Sequence, residues 1–326
     1  MSEAAVSAPA GRSGAEWVAW LRERGVYVAL ALLILFNLAF TTNFATLGTV
    51  RLNLIQVTPI VVVSLGMAMV IGTGGIDLSV GSVMALSSAI IPIYLVGYNP
   101  WVSIAMCILA GALVGLLNGF MVAVLGIQPI IATLGTFTAV RAYAQVFSGR
   151  LREFRNPFYR TIGSGDVGPS FARVSLRILI MVILIAVVAV IVRKTTLGRR
   201  LVAIGGNRRA SVLAGLPVRR TLISVYVLCA VLASIAGILE TARSSAGIPG
   251  KIGIDLELSA ITAVVVGGTA LAGGRVKVLG TVFAAIFVLV LQATLVRQNV
   301  RPAATLMIQA TIIVAAVYFQ RERGTR

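Results

Sequence analysis

The sequence predicts an all-α, polytopic integral membrane protein with about ten transmembrane helices, and three observations predict it. Of 326 residues, 58% are hydrophobic and only 12% are charged, against about 45–50% and about 25% in soluble domains. Mean hydropathy is +0.99, and a soluble fold of this composition would expose more apolar surface than monomers tolerate. The apolar residues also gather in runs near the roughly 20 residues that one helical crossing needs.

Taken in order, residues 1–25 are small and polar with mixed charge and read as a cytosolic tail, with a surface helix around Trp17 to Leu21. No short apolar region with a cleavage site precedes the first span, so no removable signal peptide is expected. Ten helical runs follow at about 26–44, 53–72, 78–96, 101–125, 129–147, 174–193, 221–243, 258–272, 277–297 and 303–320, the short ones open to being broken or re-entrant. Residues 26–320 form one membrane domain, with a cytosolic loop at 194–220 and a cytosolic C-terminal tail at 321–326. Ten spans put both termini on one side. With the N-terminus inside, sixteen Lys and Arg fall in cytosolic segments and eleven outside, a bias in the expected direction. The +18 net charge is read as topology signalling and attraction to anionic lipid or an acidic partner, with no nucleic acid implied.

Composition excludes several chemistries. Histidine is absent, which removes His-based catalysis, His metal sites and Ser-His-Asp triads. Cys107 and Cys229 sit in separate apolar runs and read as small buried hydrophobes, too few for a thiolate zinc site or a disulfide framework. None of the three lysines, Lys194, Lys251 and Lys277, lies in a P-loop pattern. Energy from a nucleotide must therefore come through another chain.

The sharpest local feature is Gly72-Thr73-Gly74-Gly75-Ile76-Asp77-Leu78-Ser79-Val80-Gly81-Ser82, where glycines and a carboxylate interrupt an apolar region. Asp77 or Ser79 can cap the next helix, or the segment can act in substrate passage or gating; the residues alone leave both open. Gly75-Ile76-Asp77 has an echo in Gly253-Ile254-Asp255, and related halves are common in transporters. Further on, Gly267-Gly268-Thr269 and Gly273-Gly274 suit close packing or a break in a span. Polar residues inside spans are candidates for a solute path: Asn53, Gln56, Asn118, Gln128 and Thr133, with Gln145, Gln292 and Gln309. Interhelical hydrogen bonds explain each of them equally well. Glu240, Asp255 and Glu257 are expected at the outer boundary, paired with Arg243 and Lys251. Arg141, inside the fifth span, is expected to snorkel or pair.

The loop at 194–220 is built like a docking element. Gly205 and Gly206 precede Asn207, a plausible N-cap; Arg208 to Ala214, with Ala210 and Leu213, would form a short helix, and Gly215 with Pro217 stops it. Val212, Leu213 and Leu216 would fill a partner groove while Arg199, Arg200, Arg208 and Arg209 meet acidic rims. The plainer reading is a solvated basic loop that obeys the positive-inside rule.

GGIDLSVGS, LGRRLVAIGGNRRASVLAGL at 197–216 and AVVVGGTALAGGRVKVLGT at 263–281 occur in this order. Together they resemble the permease subunits of binding-protein-dependent ABC importers, in particular the ribose, xylose, arabinose and galactose group, over about residues 40 to 320. The resemblance implies a type II importer-like permease working as one of two, a second copy or a sister permease. It also implies two cytosolic ABC ATPases that hold ATP and Mg, and an extracytoplasmic sugar-binding protein. The permease itself binds no cofactor or metal and has no catalytic residues. The 194–220 segment looks like the family's coupling loop. The outer loop 148–177 lacks the apolar, proline-rich run expected before the sixth span, and residues 296–302 are unusually basic, departures that bear on which sugar is carried. Rival cargoes are a nucleoside, a branched-chain amino acid or a furanone signal. A different class, an ion-coupled secondary transporter, needs titratable groups along the path, and only Asp77 is a convincing one.

Overall fold

The computed structural model describes residues 14–94, 99–148, 151–167 and 173–320. Ten helices match the ten apolar runs: α1 (Gly14–Phe40), α2 (Leu47–Gly72), α3 (Val80–Tyr94), α4 (Pro100–Ala123), α5 (Pro129–Ser148), α7 (Leu176–Lys194), α10 (Val218–Ser244), α11 (Leu256–Val266), α12 (Val278–Arg297) and α13 (Pro302–Gln320). Between them lie three short helices, α6 (Pro157–Ser164), α8 (Thr196–Gly206) and α9 (Arg208–Leu213). Two short antiparallel ladders join β1 (Arg152–Glu153) to β4 (Ala246–Gly247) and β2 (Asp166–Val167) to β3 (Val174–Ser175). The C-terminal tail at 321–326 lies outside the described residues. α1 begins at Gly14, so the surface helix expected near Trp17 is continuous with the first span.

Six helices are long and apolar enough to cross a membrane: α2, α4, α5, α7, α10 and α12. Burial sorts them into layers. In α2 83% of the apolar window is buried, in α7 only 17%, so α2 is the central post and α7 a wall. α10 is the second post and packs along α4, α2 and α3. Gly111, Gly115 and Gly119 make this closeness possible at four-residue spacing on α4. A Cβ on Gly115 would lie 2.6 Å from the Tyr226 carbonyl oxygen, and one on Gly119 would lie 2.7 Å from the Ile223 Cα. The outward positions of α4 (Leu109, Leu113, Leu116, Leu117) and α7 (Val182, Ile183, Val187, Val190) are aliphatic, as lipid requires.

α11 is shorter than its apolar run suggests. At 11 residues it rises about 16 Å, against a hydrocarbon core of about 30 Å. The run expected at 258–272 stops at Val266 because Gly268 turns to φ +87, a conformation glycine adopts freely. Irregular segments rich in turns flank α3 and α11 at 73–79 and 248–255. Backbone of that kind is tolerated at membrane depth only where protein buries it or water reaches it.

The two ends of the bundle differ. One carries α8, α9 and the Gly267–Lys277 turn. There Gly205, Gly72 and Gly274 meet backbone to backbone, and the Gly274 N–H donates to the Gly72 carbonyl at 3.0 Å. The other end is capped by α6 and the two ladders. Tyr159 of α6 is wholly buried beneath Trp101 and Phe158 and shares a 2.7 Å hydrogen bond with Ser103; burial pushes its phenol up to about 12. Arg51 pairs with Asp166. Glu240 pairs with Arg243, as expected, and also with Arg177 at 3.0 Å. Lys251 has no part in the ion pairs among the described residues, and the second partner of Glu240 is the buried Arg177.

Candidate functional site

The break between α2 and α3 organises a buried polar network. Asp77 Oδ1 accepts from the Ser79 N–H at 2.9 Å and from the Ser79 hydroxyl at 2.6 Å. This is the local turn that makes aspartate a good entry to a helix. Asn118 on α4 donates to Ser79 Oγ at 2.9 Å and accepts from the Thr136 hydroxyl of α5 at 2.8 Å. Thr133, one turn earlier on α5, accepts the Leu78 N–H at 3.1 Å. Asp77, Ser79, Asn118 and Thr133 are all fully buried. Together they tie an irregular segment to α4 and α5.

Beside this network stands Gly75, where a Cβ would lie 2.6 Å from the Tyr226 hydroxyl. Tyr226 Oη and Asp77 Oδ2 are both buried without a hydrogen-bond partner. Of the path residues expected from sequence, Asp77, Ser79, Asn118 and Thr133 are brought into one network and Gly75 lies against its edge. Asn53 and Gln56 are half-buried on α2 and stand apart, and Gln128 is exposed in the turn after Gly126. The sequence reading missed Thr136 and Tyr226. Thr136 was within reach, since it follows Thr133 by three positions and shares its helix face. Tyr226 carried no local signal, because only the crossing of α10 with α2 places it there.

The echo motif has a different setting. Arg141 neither snorkels to an end nor forms an ion pair among the described residues; it gathers the carbonyls of Pro249, Ile252 and Gly253. The Gly253 carbonyl in turn presses on Gly81 so closely that no side chain fits there. The second Gly-Ile-Asp copy thus packs through Gly253 against the first turn of α3.

At the basic end the 194–220 segment has the expected capped short helix. Asn207 Oδ1 accepts the Ala210 N–H at 2.9 Å and caps α9, and Gly215 ends it at φ +72. Gly206, Asn207, Arg208, Ala210, Ala214 and Gly215 are exposed. Val212 is 58% and Leu213 85% exposed, high values for aliphatic residues on a capped helix. Gly205 instead is wedged against Gly72 and Gly274. Leu216 is a correction: it turns inward against Ala123, Ile204, Val218 and Leu222, since the turn at Gly215 reverses the chain. Among the described residues no cluster of carboxylates and thiols suits a metal ion.

Residues 49–317 match the family described as branched-chain amino acid transport system / permease component. The chain is 34% identical to the ribose import permease protein RbsC of Escherichia coli K12, over 94% of this chain and 95% of that protein. It is 34% identical to the galactofuranose transporter permease protein YtfT of the same strain, over 82% of this chain and 78% of the relative. It is 32% identical to the L-arabinose ABC transporter permease protein AraH of Azospirillum brasilense, over 98% and 93%. No solved structure matches the chain.

Proposed function

The chain belongs to the branched-chain amino acid transport system / permease component family, and from that premise we propose that it is the transmembrane subunit of an ABC importer carrying a monosaccharide across the cytoplasmic membrane. The observation that carries this reading is the end-to-end match to a ribose import permease, 94% of one chain on 95% of the other. The form of α9 supports a means of coupling. Leu213 and Val212, on a capped helix flanked by Arg208 and Arg209, offer an apolar knob with a cationic rim to a cytosolic ABC ATPase.

In this reading the ATPase, not the permease, holds ATP and Mg and hydrolyses the nucleotide. Both termini lie in the cytosol, and a second permease, identical or a sister, completes the path. The capped end with α6 faces an extracytoplasmic binding protein, which selects the sugar. Asp77 is bonded into a closed network at Oδ1 and there supports the break between α2 and α3, which argues for a structural role over ion coupling.

Uptake of radiolabelled D-ribose into cells expressing the full transporter tests the proposal. Uptake is expected to vanish when the ATPase subunit is inactivated; uptake that persists would overturn it. In detergent extracts, Leu213→Asp should abolish co-purification of the ATPase while the permease still migrates as a folded species. Full retention of the ATPase would remove α9 from the contact.

A further inference from the structure

An arginine at membrane depth persists where its donors are filled. Arg141 lies seven residues before the end of α5 and reaches across to the segment between β4 and α11. Its Nη1 donates to the carbonyls of Pro249 and Ile252, each at 3.3 Å, and its Nη2 to that of Gly253 at 2.9 Å. The guanidinium also sits 5.4 Å from the centre of the Phe137 ring.

Two groups are left over. Arg141 Nε and Glu257 Oε2 are both buried without a hydrogen-bond partner. Glu257 is close enough to act on the Arg141 charge, yet no ion pair joins the two among the described residues. An orphaned donor and an orphaned acceptor of opposite charge are each unfavourable where they stand, and would satisfy each other if they met.

The intervening segment is poised to shift. Asp255 holds φ +56, and its side chain makes no capping bond to α11, so the strain usual for a left-handed non-glycine residue is not offset by a cap. On its other side the segment meets the Gly81 backbone and the Ser88 hydroxyl, which accepts the Ile248 N–H at 2.9 Å, and Ile252 seats it in the apolar core.

We propose that Arg141 is the positioning residue of a gate formed by residues 249–253. In the arrangement described, it clamps this segment against Gly81. In a second arrangement it passes to the Glu257 carboxylate and frees the segment. That the movement serves solute passage rests on the permease reading; the clamp and its alternative partner rest on this chain alone.

The test uses Ile252→Cys as reporter, because Ile252 is only 7% exposed in the clamped segment and the native thiols Cys107 and Cys229 are buried. The full chain in proteoliposomes is treated with a water-soluble maleimide. Arg141→Gln is expected to raise the labelling rate at least about tenfold, since the guanidinium's three bonds are lost together and one charge-assisted hydrogen bond alone corresponds to about that factor. Glu257→Gln is expected to lower it severalfold, because the freed arrangement loses its partner. Should Arg141→Gln not fold, Arg141→Lys, which keeps the charge without the fork, is expected to raise labelling by a smaller factor. Unchanged labelling in the arginine variants, or a rise in Glu257→Gln alongside them, would overturn the gate, since general loosening moves both in one direction. Loss of D-ribose uptake in the parent chain with this labelling pattern intact would instead refute the permease reading and leave the clamp standing.

Discussion

Gly75-Ile76-Asp77 and Gly253-Ile254-Asp255 are the same three residues in two unlike settings. Asp77 is fully buried, and its carboxylate takes the amide and hydroxyl of Ser79 with Asn118 behind them. Asp255 is exposed, holds a left-handed backbone and caps nothing. The difference begins two positions on, where Ser79 stands in one copy and Glu257 in the other. Serine adds a hydroxyl bond to the local turn on the preceding aspartate that glutamate lacks, and the second copy is held from outside, by the α5 guanidinium. A triplet therefore marks a place where a helix is interrupted without fixing what holds the interruption.

The contrast can be broken by four substitutions, read as shifts in the thermal unfolding midpoint in detergent. The largest effect belongs to Asp77→Ala, expected to lose about 3 kcal/mol, since it strips a charged acceptor from two buried donors. Gly81→Val comes next at about 2 kcal/mol, because any side chain there meets the Gly253 carbonyl and Glu257. Thr136→Val, which removes the donor to Asn118 Oδ1, should lose about 1 kcal/mol. Asp255→Gly is the small end of the series, with no loss and up to about 1 kcal/mol gained, as glycine accepts the left-handed backbone freely. A loss at Asp255 as large as that at Asp77 would erase the distinction between the copies.

Hydropathy made the ten helices legible, because lipid imposes its demand residue by residue. Local chemistry made α9 legible too: Asn207 as cap and Gly215 as stop are decided within a few positions, and the structure reproduces both. What escaped was the outcome of distant packing. The early end of α11 at Val266 follows from backbone turns at Gly268 and beyond, where the hydropathy of 267–272 still reads as a span. Leu216 looks as available as Leu213 in the sequence, and only the reversal at Gly215 turns it inward. Asn118 and Thr133 stood among several polar residues of equal promise. Their selection over Asn53, Gln56 and Gln128 rests on the approach of α4 and α5 to one broken segment, which no single stretch of chain encodes.

The meeting of Gly205, Gly72 and Gly274 has a mechanical meaning. Three main-chain segments touch there with no side chain between them, so any side chain added at the joint would force the segments apart. α8 runs into it, and α9 is bolted to α8 through the Asn207 cap. The exposed tip at Leu213 is thereby joined to the Gly72 end of the central post through contacts of bare backbone, with no side chain bridging the two.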